Sequence, residues 1–180
     1  MGLFKKTTKP SQQAYAVVTG AGSGIGQSFA LALGKRGGTV VCADINLAAA
    51  EKTVALLAEH GAKAYAVACD VGKAEQVAEL AEQAEQLMQH PVTLVINNAG
   101  VGLGGKFDEL SLEDWQWVTH VNLWGVIHGC HFFVPKFKKL GHGAIINVAS
   151  AAGYTAAPEM TAYNVTKYGV LALSETLFSE

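Results

Sequence analysis

The chain has 180 residues, half of them hydrophobic and 16% charged. That is enough apolar material for a domain-sized core and too much for a disordered segment. A formal net charge of −2 argues against nucleic acid as a partner, and no apolar run reaches the length of a membrane span.

Met1–Pro10 carries Lys5, Lys6 and Lys9 without the apolar stretch of a signal peptide. Gly2 lacks the Ser or Thr that myristoylation requires, because Lys6 stands there. Residues 1–12 are therefore expected to be a flexible tail, and the protein to be cytoplasmic.

Strand and helix signals alternate from there. Ala14–Thr19 is an apolar run ending in glycines and reads as a buried strand. Gly24–Arg36 has Ile25, Phe29 and Leu33 at helical spacing, and Gly37-Gly38 stops it. Thr39–Ala43 is a second strand. Asn46 can cap a helix running to about His60, with Leu47, Ala50, Val54 and Leu57 on one face. Ala64–Ala68 is a third strand, and Lys73–Gln89 a helix with Val77, Leu80, Ala81, Ala84, Leu87 and Met88 on one stripe. Val92–Ile96 is a fourth strand, followed by a glycine-rich loop at Gly100–Gly105. Ser111, with Asp114 three residues on, caps a long helical region to about Lys139, which Pro135 should bend or end. Ala144–Val148 is a fifth strand. A last helix starts near Thr161 and is still running at Glu180.

This order predicts an α/β fold: a Rossmann-like, doubly wound parallel sheet in three layers, forming one domain over residues 13–180. A sixth strand would complete the usual symmetry, so the chain reads as truncated and lacking the last strands. Leu171, Leu173, Leu177 and Phe178 would then leave an apolar face, and the chain alone is expected to aggregate.

Thr19-Gly20-Ala21-Gly22-Ser23-Gly24-Ile25-Gly26 joins the first strand to the first helix. Such a turn lets backbone approach a pyrophosphate at a helix N-terminus, where N–H groups and the helix dipole favour negative charge. Asp44, at the end of the second strand, can accept hydrogen bonds from the adenosine ribose and would repel a 2′-phosphate, which predicts NAD in preference to NADP. Its other reading is a cap for the next helix. Asp70 can bond the adenine amino group or cap the helix at Lys73, and the two roles are compatible.

Tyr163-Asn164-Val165-Thr166-Lys167 opens the last helix. Residues i and i+4 share a face, so the phenol and the ammonium are neighbours. Tyr titrates near ~10 on its own, and an adjacent Lys⁺ favours the phenolate, bringing the phenol into range for acid and base work. Ser150, at the end of the fifth strand, can hold a substrate oxygen as charge develops there.

With these residues the chain resembles the short-chain dehydrogenase/reductase family over about Ala14 to Glu180, with the TGxxxGxG spacing of its single-domain members. Asn97-Asn98-Ala99-Gly100 is similar to the family's NNAG motif. Asn122 resembles its fourth catalytic residue, which holds a water in a proton relay. In Asn147-Val148-Ala149-Ser150 the first of two usual serines is Ala149. The resemblance implies that Tyr163 is the general acid and base, that Lys167 tunes it and binds the nicotinamide ribose, and that Ser150 orients the substrate oxygen while Asn122 supports the relay. It implies cofactor contacts at Gly20, Ser23, Gly24, Ile25, Gly26, Asp44, Asp70, Val71, Asn98, Ala99, Gly100, Tyr163 and Lys167. A small alcohol or carbonyl compound is the implied substrate, and a homodimer or homotetramer the implied full-length assembly. Family members continue through two more strands and the segment that shapes the substrate pocket, so a cofactor-binding fragment without turnover is the alternative. A structural subunit built on the long helix is a third reading.

The remaining residues have plainer readings. Cys42, Cys69 and Cys130 form no CxxC pair and are expected as buried apolar side chains in a reducing compartment. The six histidines, His128 and His131 included, are expected to bind no metal. Trp115, Trp117 and Trp124 are assigned to packing or a subunit contact. Lys35 and Arg36 are expected to be solvated, as are Lys136, Lys138 and Lys139 at a helix end.

Overall fold

A computed structural model describes residues 9–180. The expected N-terminal tail lies mostly outside them. Of its described part, Ser11 Oγ receives a hydrogen bond from Arg36 Nη1 at 2.7 Å, and the next residue but one, Gln13, donates its N–H to Arg36 O. Arg36 is thereby tied to the chain entering the first strand.

Five strands run parallel: β1 (Tyr15–Thr19), β2 (Thr39–Asp44), β3 (Ala64–Ala68), β4 (Leu94–Asn97) and β5 (Ala144–Asn147). Their order across the sheet is β3-β2-β1-β4-β5. Helices α1 (Gly24–Lys35), α2 (Leu47–Glu59) and α3 (Ala74–Met88) follow the first three strands. After β4 come α4 (Leu112–Thr119), a π-helical turn at His120–Trp124, and α5 (Gly125–Leu140). A 3-10 turn (Ala151–Gly153) then leads into α6 (Thr161–Ser179).

The sheet is buried on both sides, and the period of two in a strand sorts its residues between two cores. Val17, Val41 and Val95 face one core, with Val77, Leu80 and Ala84 of α3 and Phe133 of α5. Ala16, Val18, Val40, Cys42 and Ile96 face the other, with Ala30 and Leu33 of α1 and Ala50 and Leu57 of α2. This is the expected three-layer doubly wound architecture. Cys42, Cys69 and Cys130 are all buried, as read, and burial pushes the thiols of Cys42 and Cys69 up to about 12. At such values they stay protonated and act as small apolar groups.

Several local expectations need correction. β4 begins at Leu94, two residues late, although Val92 is fully buried. α1 packs through Gly26, Ala30, Leu33 and Gly34, not through Ile25, which is 63% exposed. Thr53 takes a buried place on α2, while Leu47 is 41% exposed, and Leu87 lies at the rim of the α3 stripe. Pro135 stands inside α5, which continues to Leu140. The long helix is interrupted instead at the π turn, where one extra residue per turn pushes Asn122 inward. Lys136 is not a solvated helix end: its ammonium pairs with Glu82 at 2.7 Å and Glu85 at 2.9 Å on α3. Burial pulls its pKa down, but the two carboxylates outweigh that and hold it above the usual lysine value.

β5 and β3 are the sheet edges among the described residues. On β5, Ile146 is 42% exposed, and Phe178 near the end of α6 is 94% exposed. No helix among the described residues is long and apolar enough to cross a membrane.

Candidate functional site

β1 is central, with β2 on one side and β4 on the other, and the connections leave it in opposite directions. A crevice opens at the carboxyl ends of β1 and β4, the place where such sheets bind ligands. The glycine turn fills its floor. Gly20 has φ +64°, and a Cβ there would lie 2.9 Å from Ala99 Cα. A Cβ on Gly26 would collide with the Gly20 carbonyl oxygen, so only glycine lets α1 fold back against the turn. Ser23 stands at the N-cap of α1 without a side-chain cap bond, so the first N–H groups of the helix are left to the cleft.

The two asparagines after β4 hold this arrangement. Asn98 Nδ2 donates to Thr19 O at 2.9 Å and Gly20 O at 3.4 Å. Thr19 Oγ1 accepts from the N–H groups of Asn98 and Ala99 at 3.0 and 3.1 Å. Asn97 Nδ2 donates to Asn147 Oδ1 at 2.8 Å, and Asn147 Nδ2 to Ser174 Oγ at 3.0 Å. Adjacent side chains thus tie β4 to β1 on one side and to β5 and α6 on the other.

Asp44 sits at the rim beside the glycine turn. Its Oδ2 accepts from Gly22 N at 2.8 Å and its Oδ1 from Asn46 N at 2.9 Å, which leaves each oxygen a free lone pair. It does not cap α2; Asn46 does, accepting from Ala49 N. Asp70 is likewise not the cap of α3, whose N-cap is Lys73. Its Oδ1 accepts from Gly72 N and its own N–H reaches Gln76 Oε1.

At the other end lie Ser150, Tyr163 and Lys167. Ser150 is three residues beyond β5, not at its close, and caps the 3-10 turn by accepting from Ala152 N at 3.2 Å. Its hydroxyl proton remains free to donate. Lys167 is 4% exposed, and its Nζ donates to Val148 O at 2.9 Å. Nζ lies 5.8 Å from the centroid of the Tyr163 ring. Burial lowers the Lys167 pKa.

A cleft of about 1160 Å³ joins both ends. Of the residues singled out in the sequence, Gly20, Ser23, Gly24, Ile25, Asp44, Asp70, Val71, Asn98, Ala99, Gly100, Ser150, Tyr163 and Lys167 all line it. Gly26 and Asn122 do not; they are buried just behind the wall. Asn122 Oδ1 accepts from Val101 N at 2.7 Å, and its Nδ2 donates to Val101 O at 2.9 Å, so the amide clasps one backbone residue of the glycine-rich loop.

Sequence reasoning missed other contributors. Trp117, Thr155, Ala157 and Met160 also line the cleft. Thr53, fully buried, donates to Ala21 O at 2.8 Å and accepts from Gln27 Nε2, holding the glycine turn from α2. Nothing local marks it: its partner is 32 positions away in the chain. Among the described residues no three His, Cys, Asp or Glu side chains converge. His128 instead bonds Val71 O through Nδ1.

A family model for short chain dehydrogenases matches residues 14–180. A cyclohexanol dehydrogenase of Acinetobacter sp. (strain SE19) is 40% identical over 161 residues, 89% of this chain and 64% of that protein. The solved structure of a short chain dehydrogenase/reductase from Burkholderia phymatum, in complex with NAD, superposes with a TM-score of 0.91 at 40% identity, over 96% of this chain and 61% of that one. A metagenomic short-chain oxidoreductase solved with NADP gives a TM-score of 0.87 at 28% identity, over 94% and 76%. The chain spans between 28% and 64% of the length of the curated relatives it matches.

Proposed function

The chain belongs to the short-chain dehydrogenase family, and on that footing we propose that it transfers a hydride between NAD(H) and an alcohol or carbonyl carbon, with Tyr163 as general acid and base. One observation carries the reading. Tyr163 and Lys167, one helical turn apart, line the same cleft as the uncapped N-terminus of α1 and the Asp44 carboxylate.

The residues fit a dinucleotide. The free N–H groups at Ser23–Ile25 suit its pyrophosphate, and the cradle at Gly20 and Gly26 is one that a Cβ would fill. Asp44 has lone pairs for the ribose hydroxyls and a charge that opposes a 2′-phosphate, which supports NAD over NADP. Asp70, Val71, Asn98, Ala99 and Gly100 carry the cleft from the adenosine end to the reacting end. The nicotinamide, when bound, supplies or accepts the hydride. The chain's own residues handle the proton. Ser150 donates its free hydroxyl hydrogen to the substrate oxygen. Tyr163 gives that oxygen a proton in the reducing direction or takes one in the other. Lys167 holds positive charge beside the phenol, which favours phenolate, and its two remaining N–H groups can bond a ribose. Asn122 supports the proton relay from behind the cleft wall, where its amide also holds the backbone of Val101.

The proposal extends to residues 13–180 as one domain of a cytoplasmic protein. It also extends to a homodimer or homotetramer in which the exposed Trp124, Val165 and Tyr168 would be covered. Sedimentation tests the assembly. A second reading is cofactor binding without turnover. Titration with NADH, paired with an assay on a panel of ketones and secondary alcohols, separates the two. Binding with turnover supports the first, binding alone the second, and absence of both removes the redox reading.

A further inference from the structure

Thr166 lies between Tyr163 and Lys167 in the sequence but faces away from the cleft, and it is fully buried. Its Oγ1 donates to Tyr163 O, one turn back, at 2.7 Å. A hydroxyl has one hydrogen, so toward any other partner Thr166 can only accept. That partner is Asn122 Nδ2 at 3.3 Å, 44 positions away on the π turn. The same amide already brackets the N–H and C=O of Val101. A continuous chain of hydrogen bonds therefore runs from the glycine-rich loop, through Asn122 and Thr166, to the backbone of the residue that carries the phenol.

From this geometry we infer that Thr166 is a positioning residue: its hydroxyl joins the Asn122 clasp to the turn of α6 that presents Tyr163 and Lys167. The inference rests on the proposed roles of that pair. Gly100 shows what the link holds in place. A Cβ there would lie 3.3 Å from Asn122 Oδ1 and 3.6 Å from Lys167 Nζ. The loop, the amide and the ammonium thus meet over a single α-carbon. Without the Thr166 hydroxyl, Asn122 keeps Val101 and loses α6, and the helix turn loses its fixed distance from the loop. A local back-bond from Thr to the preceding turn is common in helices. What sets Thr166 apart is that one of its two lone pairs accepts from a second element.

The test compares Thr166→Val, nearly the same shape without the hydroxyl, with Thr166→Ser, which keeps it. Two readouts are taken on the whole protein. Solvent exchange of the Asn122 side-chain amide protons, followed by NMR, should speed up roughly tenfold or more in Thr166→Val and stay near the parent rate in Thr166→Ser. In the turnover assay, Thr166→Val should lower kcat roughly tenfold or more, with KM and NADH affinity within about twofold of the parent, and Thr166→Ser should recover most of the loss. Unchanged amide exchange in Thr166→Val overturns the inference whether or not the protein turns over substrate. Faster exchange with an unchanged kcat, or a loss that Thr166→Ser fails to recover, overturns it as well. Absence of turnover in the parent itself would instead count against the proposed function, while the exchange measurement still decides the link.

Discussion

Lys167 Nζ stands 5.8 Å from the centre of the Tyr163 ring and is fixed there by a 2.9 Å hydrogen bond to Val148 O, the backbone just beyond β5. The helix supplies the spacing of the pair and the sheet supplies its orientation. The ammonium is buried, and that burial lowers its pKa.

That burial has a consequence for stability. A lysine whose folded pKa is depressed costs stability while charged; the cost is full below the folded pKa and fades as pH rises toward the ordinary ~10.4. Lys167→Met should therefore leave the melting temperature at neutral pH level or raised. The gap to the parent should narrow as pH climbs toward that value. Turnover should fall by about 10²–10⁴. Calorimetry across pH checks the first part, and a melting temperature several degrees lower at neutral pH would contradict it.

The glycine turn permits a sharper substitution. Gly26→Ala places a methyl group against the Gly20 carbonyl oxygen, so either the turn opens or α1 moves away. NADH affinity should drop by roughly a hundredfold. Fluorescence titration reads the affinity, and an affinity near the parent's would mean that the turn does not carry the phosphates.

Asp44 predicts the cofactor. NADH should bind about tenfold or more tightly than NADPH, and Asp44→Ser should narrow the difference by relieving charge repulsion. Side-by-side titration is sufficient, and a preference for NADPH in the parent would reverse the assignment.

Ser111 and Asp114 form a capping box at the start of α4, and neither side chain lines the cleft. Ser111→Ala should cost about 1 kcal/mol of stability and leave NADH affinity unchanged. Urea midpoints check the cost, and no shift would mean the box is idle.

The fold was legible because the strands are short apolar runs and the helices between them are capped or stopped by Gly37-Gly38, Asn46 and Ser111. Errors arose where packing uses something other than side-chain bulk. α1 packs through Gly26, Ala30 and Gly34, where a small or absent side chain permits close approach, whereas the larger Ile25 of the same helix is exposed. Val92 is buried but lies before β4, so hydrophobicity marked the wrong start. The π turn at His120–Trp124 has no local propensity signal; Asn122 within it bonds Val101, 21 positions away. Most of the cleft residues were legible from motif spacing. Thr53 and Thr166 were not, since their hydroxyls find partners 32 and 44 positions away.

The central claim is that the phenol of Tyr163 moves the proton. Tyr163→Phe removes one oxygen from the cleft and nothing else, so the most direct measurement is kcat and NADH affinity of that variant beside the parent. The expected result is a kcat lower by about 10³ or more with NADH affinity within about twofold. Turnover at the parent's rate in Tyr163→Phe would contradict the account.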